Sequence, residues 1–305
     1  MRRAVVDIGT NSTRLLIADV DGGRVGEVLE RRTEITRLGA GVDADGHLSE
    51  EAMERVYAVL DDYHELIERH GTDDAVAVLT SAVRDAANGE EFAGTVRNRF
   101  ELEPFVLSGD EEARLTFLGA RSERDPDERT PTLVIDIGGG STEFVIGTGR
   151  EMSFHVSNQA GVVRQTERHL HSDPPSAAER DALGHDAREI LAAGVPDSWR
   201  RAVGHAIAVA GTATSLASIA QELEPYDAEK VEGFRLSAQE CRRILERLSG
   251  LTLAERRAVR GLHPDRAPTI VAGVIILLET LALFGLDEVE VSEHDILRGA
   301  ALGLR

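Results

Sequence analysis

The sequence predicts two α/β domains, each a mixed sheet flanked by helices, and three features carry that expectation. A strand, an acid and a glycine bend occur twice, as VVDIGTNST at residues 5–13 and VIDIGGGST at residues 134–142. Each copy opens a series of short apolar strands that leads into helical segments and further strands. Between the copies lies SERDPDERTP (122–131), an acidic, proline-containing stretch of the kind that links domains. The expected domains are therefore 1–126 and 127–305, a division that the 305-residue length readily supports. The duplication also predicts a ligand cleft between the halves.

The elements follow in order. AVVDI, TRLLIADV and RVGEVLERRTEI read as strands joined by the turn signals GTNS and DGG. Ser49, followed by Glu50 and Glu51, starts a helix with an acid-rich first turn, and Met53, Val56, Tyr57, Leu60 and Ile67 share its apolar face. A buried strand from Ala75, a helix from about Glu90, a strand near Val106 and a helix from Asp110 complete the first half. The second half gives strands at TLVIDI, TEFVIG and EMSFHVSN, then helices. The last helix, about 294–305, is expected to pack back on the first domain.

Composition excludes several classes. The apolar segment from Ile270 carries Glu279 near its middle and is short for a bilayer span, so a buried helix is expected and no membrane partner. The apolar run at the N-terminus is interrupted by Asp7, unlike an export signal. A single cysteine, Cys241, excludes an internal disulfide, suits a reducing cytoplasm and reads as apolar filler on a helix. The net charge of −20, with no basic run or basic-aromatic stripe, argues against nucleic-acid binding. Only Lys230 is a lysine, and arginine usage joined to the acidic excess suggests adaptation to high internal salt.

The repeated bend has a physical use. Glycines let backbone N–H groups converge on phosphate oxygens, neighbouring hydroxyls add donors, and an Asp at the strand end can take Mg²⁺ directly or through water. Two tight hairpin turns would use the same residue types. Two copies in register favour phosphate, with Gly9, Thr10, Asn11 and Ser12 in one loop and Gly138, Gly139, Gly140, Ser141 and Thr142 in the other. In LSGDEEARLTF, Ser108 and Glu111 fit a capping box, which accounts for Glu111 but not for Glu112.

The motifs DIGTNSTRLLI, LTSAVRDAAN, LSGDEEARLTFLGA, VIDIGGGSTEFVIG, VAGTATSLA and SEHDILRGAALG together resemble the exopolyphosphatase/guanosine pentaphosphate phosphohydrolase (Ppx/GppA) family of the actin-like superfamily. That resemblance implies two actin-like, ribonuclease H-like domains and a cytoplasmic enzyme. Such an enzyme releases terminal phosphate from polyphosphate, guanosine pentaphosphate or both. It implies Glu112 as the base for the attacking water, Arg84 as the arginine on the transferred group, and Asp7, Asp136 and Glu143 as acids associated with Mg²⁺, or Mn²⁺ in its place. Arg14 becomes a candidate for a neighbouring phosphate. The family often forms dimers, so a homodimer is an open expectation. A metabolite kinase and a non-catalytic alarmone sensor are the other classes that would use these loops.

Four details qualify the match. His294-Asp295 is similar to the metal-binding pair of another phosphohydrolase class, but reads better as a helix start with Ser292. His169 and His171 have no third ligand nearby and read as surface residues. VAGTATSLA (209–217) is similar to the segment where kinases and chaperones of the superfamily place a nucleotide base, but polyphosphate has no base, so the turn is read as mainly structural. Ala210 stands where the family often has glycine, and Pro268 replaces an acid common in the family. A short acidic chain lacks a long basic track, so short or medium polyphosphate, or a nucleotide, is expected to suit it better than very long chains.

The charge makes one expectation measurable. At about 0.15 M salt the Debye length is roughly 8 Å and at about 1 M roughly 3 Å, so added salt screens the repulsion between this surface and a polyanion. The KM for polyphosphate should fall as salt rises toward molar levels, measured by phosphate release with folding followed in parallel; a flat or rising KM contradicts the high-salt reading.

Overall fold

Parallel strands buried on both faces need continuous apolar sequence, and AVV and AVAVL provide it. The computed structural model describes residues 1–304, those at 43 and 44 by backbone alone. The chain forms two compact units, Met1–Glu123 joined by the stretch from His294, and Arg124–Glu293.

In the first unit the strands are β1 (Arg2–Ile8), β2 (Thr13–Asp21), β3 (Arg24–Glu34), β4 (Asp74–Leu79) and β5 (Glu103–Val106), in sheet order β3-β2-β1-β4-β5. The first three form antiparallel hairpins, whereas β1, β4 and β5 run parallel. Gly22 and Gly23 take positive φ in the β2–β3 turn, as a two-residue hairpin requires. The helices are α1 (Val42–Asp45), α2 (Glu50–His70), α3 (Ser81–Asp85), α4 (Gly89–Phe100) and α5 (Gly109–Ala120).

Ser49 caps α2 by accepting the Ala52 N–H, and Val56, Tyr57, Leu60, Tyr63 and Ile67 are buried. Tyr63, outside the predicted stripe, is on this face because its hydroxyl donates to the Thr13 carbonyl at 3.0 Å. Alternation along β1 divides the unit's apolar contacts. Ala4, Val6 and Ile8 join the core under α2 and α4, while Val5 joins Leu115, Ile296 and Ala300 on the other face.

The second unit repeats the plan with one extra edge strand. It has β6 (Thr132–Ile137), β7 (Thr142–Thr148), β8 (Glu151–Asn158), β9 (His205–Val209), β10 (Arg235–Ser237) and β11 (Glu288–Val291), in order β10-β11-β9-β6-β7-β8. Its helices are α6 (Val162–His169), α7 (Ala177–Gly194), α8 (Asp197–Ala202), α9 (Ala210–Ala220), α10 (Ala228–Val231), α11 (Ala238–Ser249), α12 (Leu253–Arg256) and α13 (Ile270–Phe284). The final helix, α14 (Ile296–Gly303), packs against α5 in the first unit. Both units have the mixed-sheet, helix-flanked arrangement of the two-domain actin-like fold.

Helix α13 is the core of the second unit, and its one charge, Glu279, receives two hydrogen bonds from Arg188 at 2.7 and 2.9 Å. No helix among the described residues is long and apolar enough to cross a membrane. Cys241 is buried on α11, and that burial pushes its thiol up to about 12. It should therefore resist alkylation at pH 8 in the native protein and react only on unfolding, as counted by mass spectrometry after iodoacetamide treatment.

Candidate active site

In each unit the repeated motif closes a β-hairpin over four residues. Gly9 donates to the Ser12 carbonyl and Gly138 donates to the Ser141 carbonyl, both at 2.9 Å. What lies behind each loop fixes which way its peptide groups face. In the first unit, Gly39 and Arg37 donate to the carbonyls of Thr10 and Asn11 at 2.9 and 3.0 Å. In the second, Val162 and Val163 donate to the carbonyls of Gly138 and Gly139 at 2.9 Å, and Arg164 Nε donates to the Gly140 carbonyl at 3.0 Å. The N–H groups of Thr10, Asn11, Ser12, Gly139, Gly140 and Ser141 have no acceptor among the described residues. Two rows of amide donors result, the arrangement that binds phosphate oxygens.

The second loop has a requirement that the motif itself does not contain. A Cβ on Gly161 would lie 2.3 to 2.4 Å from backbone atoms of Gly139, Gly140 and Ser141, so α6 begins in direct backbone contact with the loop. Gly161 was not singled out from the sequence, where AG before a helix is unremarkable.

The two hairpins differ in what faces the strand-end acid. Asp7 pairs across the strands with Arg14, while Asp136 pairs with Glu143. Cross-strand neighbours are about 5 Å apart at Cβ, so the first acid meets a cation and the second meets another carboxylate. Asp7 is 3% exposed. Its Oδ2 accepts from Arg14 Nε at 2.8 Å and Nη2 at 2.5 Å, while Oδ1 is buried with no hydrogen-bond partner. Burial pushes the Asp7 carboxyl up, and Arg14 offsets that only in part. Glu143 Oε1 accepts from Ser141 at 2.5 Å and Ser157 at 2.8 Å.

Arg84 and Glu112 come together in the first unit. Strands β1, β4 and β5 are parallel, so loop 9–12, α3 and the start of α5 all leave from the carboxyl ends of strands, where open α/β sheets bind ligands. Thr10 and Ser81 hydroxyls are 2.9 Å apart and link the loop to α3. Arg84 on α3 donates to the Leu107 carbonyl at 2.9 Å, and its Nη1 lies 3.4 Å from Glu112 Oε2. The capping box of Ser108 and Glu111 is present, and the Ser108 backbone and hydroxyl hold Glu111 below its ordinary value. Glu112, one residue on, is left out of that cap and stands beside Arg84.

Two assignments change. Thr142 is fully buried and its hydroxyl donates to the Ala160 carbonyl at 2.6 Å, so it holds the hairpin instead of offering its hydroxyl to phosphate. Arg14 commits its guanidinium to Asp7 and to Asp295, an acid that had been read only as a helix start. Asp295 does cap α14, accepting the Leu297 N–H at 3.0 Å, and the ion pair is an added duty. His169 Nε2 donates to Asp186 at 3.0 Å, in a cluster with Arg168 and Gln165, and His171 is exposed. Ala210 has φ +61°, which explains why glycine suits that position, and the Arg266 guanidinium packs directly over Gly211.

The chain belongs to the Ppx/GppA phosphatase family, whose model matches residues 16–302. It is 39% identical to Exopolyphosphatase 2 of Mycobacterium tuberculosis over 99% of this chain and 98% of that protein. A crystal structure of the Aquifex aeolicus family member is 32% identical, with a TM-score of 0.85 over 99% of this chain and 96% of that one. An exopolyphosphatase structure from Cytophaga hutchinsonii has a TM-score of 0.86 at 29% identity, covering 99% and 98%.

Gly161→Ala tests the loop geometry. The added methyl must displace backbone, so the rate of phosphate release should fall by about tenfold or more, as a misplacement of about 1 Å can cost 100-fold. Circular dichroism should still report a folded protein; unchanged kinetics would show that loop 138–141 does not need this position.

Proposed function

We propose that this protein is an exopolyphosphatase that hydrolyses the terminal phosphoanhydride of inorganic polyphosphate. The observation that carries the reading is the Arg84–Glu112 pair at the same sheet edge as a loop whose amides face away from its tied carbonyls. Resemblance along nearly the whole chain to proteins named exopolyphosphatase supports it.

In the proposed reaction, the amides of loop 9–12 hold phosphate oxygens with Thr10 and Ser12 beside them, and the amides of loop 138–141 offer the same donors in the second unit. Glu112 takes a proton from water as its oxygen bonds to the terminal phosphorus. The bridging P–O bond breaks, yielding orthophosphate and a chain one phosphate shorter. Arg84 balances charge on the equatorial oxygens of the transferred group. No covalent intermediate is required.

The donor set fits a divalent cation. Among the described residues no three His, Cys, Asp or Glu side chains form a cage. Mg²⁺, however, is commonly held by one or two carboxylates with water and substrate phosphates. In the first unit the buried Oδ1 of Asp7, and in the second the facing carboxylates Asp136 and Glu143, are each of the kind that would hold such an ion. When bound, Mg²⁺ or Mn²⁺ would neutralise phosphate charge. Polyphosphate is the substrate proposed over guanosine pentaphosphate because proteins that the chain resembles along nearly its whole length are named exopolyphosphatases.

Adjacent glutamates separate chemistry from folding. Glu112→Gln should lower kcat by about 100- to 10,000-fold with melting temperature unchanged. Glu111→Ala should cost about 1 kcal/mol of stability while leaving turnover in place. Phosphate release from defined polyphosphates and guanosine pentaphosphate, measured with both variants, tests the reading; full activity in Glu112→Gln removes the mechanism.

A further inference from the structure

Resting on the proposed role of Asp7, we infer that Asp295 is a positioning residue for the reaction, acting through Arg14 to keep one oxygen of Asp7 available to a cation. Asp295 is 3% exposed and comes from the far end of the sequence. Its Oδ1 caps α14 through the Leu297 N–H, which directs Oδ2 toward the guanidinium of Arg14, with Arg31 3.7 Å away on the same oxygen.

The consequence lies in how Arg14 is shared. A guanidinium beside a lone carboxylate favours a fork in which two N–H groups take both oxygens. Here Nη1 is turned to Asp295, and Nε and Nη2 both converge on Oδ2 of Asp7. Oδ1 is thereby left buried without a partner. Loss of the Asp295 charge would let Arg14 turn onto both oxygens of Asp7 and close that position. It would also remove one negative charge beside Arg14 and Arg31, making the surroundings more positive where a cation is to bind.

The scaffold holds Asp295 firmly. Cβ atoms on Gly119 and Gly299 would each lie 1.8 Å from a backbone oxygen, of Asp295 and Leu115 respectively, so α14 and α5 touch through their backbones. At the other end Arg3 donates to the carbonyls of Ala301 and Leu304 at 3.0 and 2.6 Å, tying α14 to β1. The helix that fixes Asp7 through Asp295 also backs the helix that carries Glu112.

Asp295→Asn retains an N-cap acceptor and removes the charge, and the double variant Asp295→Asn with Arg31→Gln restores local charge balance. In both, kcat should fall by about 10- to 100-fold, the range for partners that orient metal-binding groups, with KM for polyphosphate little changed. Mn²⁺ binding to the protein, read from the free-ion EPR signal, should weaken several-fold in both. Recovery of kcat and Mn²⁺ binding in the double variant would mean that Asp295 only balances charge and would overturn the inference, as would wild-type values in Asp295→Asn. Asp7→Asn, run alongside, distinguishes the levels: wild-type Mn²⁺ binding and turnover there would remove the reading of Asp7 itself.

Discussion

Successive peptide N–H groups can converge on a phosphate only when the loop is held with its carbonyls turned the other way, and much of this structure serves that constraint. Each loop is four residues closed by one backbone bond, too short to satisfy itself. In the first unit residues 37–39 supply the donors behind the loop, and in the second the start of α6 does so. Gly39 and Gly161 allow the supporting backbone to come close enough. The amide rows are thus a property of the packed units, prepared before any ligand arrives.

The duplicated hairpins keep their register and diverge in charge. Asp7 faces Arg14 and Asp136 faces Glu143, at equivalent places on equivalent strands. A buried carboxylate beside a guanidinium is held in place, whereas two facing carboxylates repel unless a cation or proton lies between them. The same strand-acid-glycine design therefore gives the first unit a braced acid and the second an acidic pair. In a protein of net charge −20, any attraction for a polyanion would have to come from local donors such as Arg84 and the loop amides, not from the surface as a whole.

Much of the fold was legible because local rules were obeyed. The hairpin strands, the Ser49 cap, the Ser108–Glu111 capping box and the buried helix at Ile270 each rest on periodicity or on residues within one turn. The candidate site was legible where the motif is contiguous, as in Gly9 to Ser12 and Gly138 to Ser141. Thr142 and Arg14 were read differently because motif adjacency says nothing of which way a side chain turns. On an extended strand a residue next to the loop can equally face the core, and Thr142 does. Asp295 was recognised as a helix start, but its partner lies 281 positions away, beyond any local signal.

The sequence by itself determined the duplicated α/β plan, the family, and the separation of Glu111 from Glu112, because period, capping and motif spacing are short-range properties. Tertiary structure alone decided that Arg14 braces Asp7, that Gly161 supports the second loop, and that α14 stands behind both α5 and the first hairpin. Those outcomes depend on backbones approaching to van der Waals contact and on buried charges finding partners. Both are settled only when segments distant in the chain are packed together.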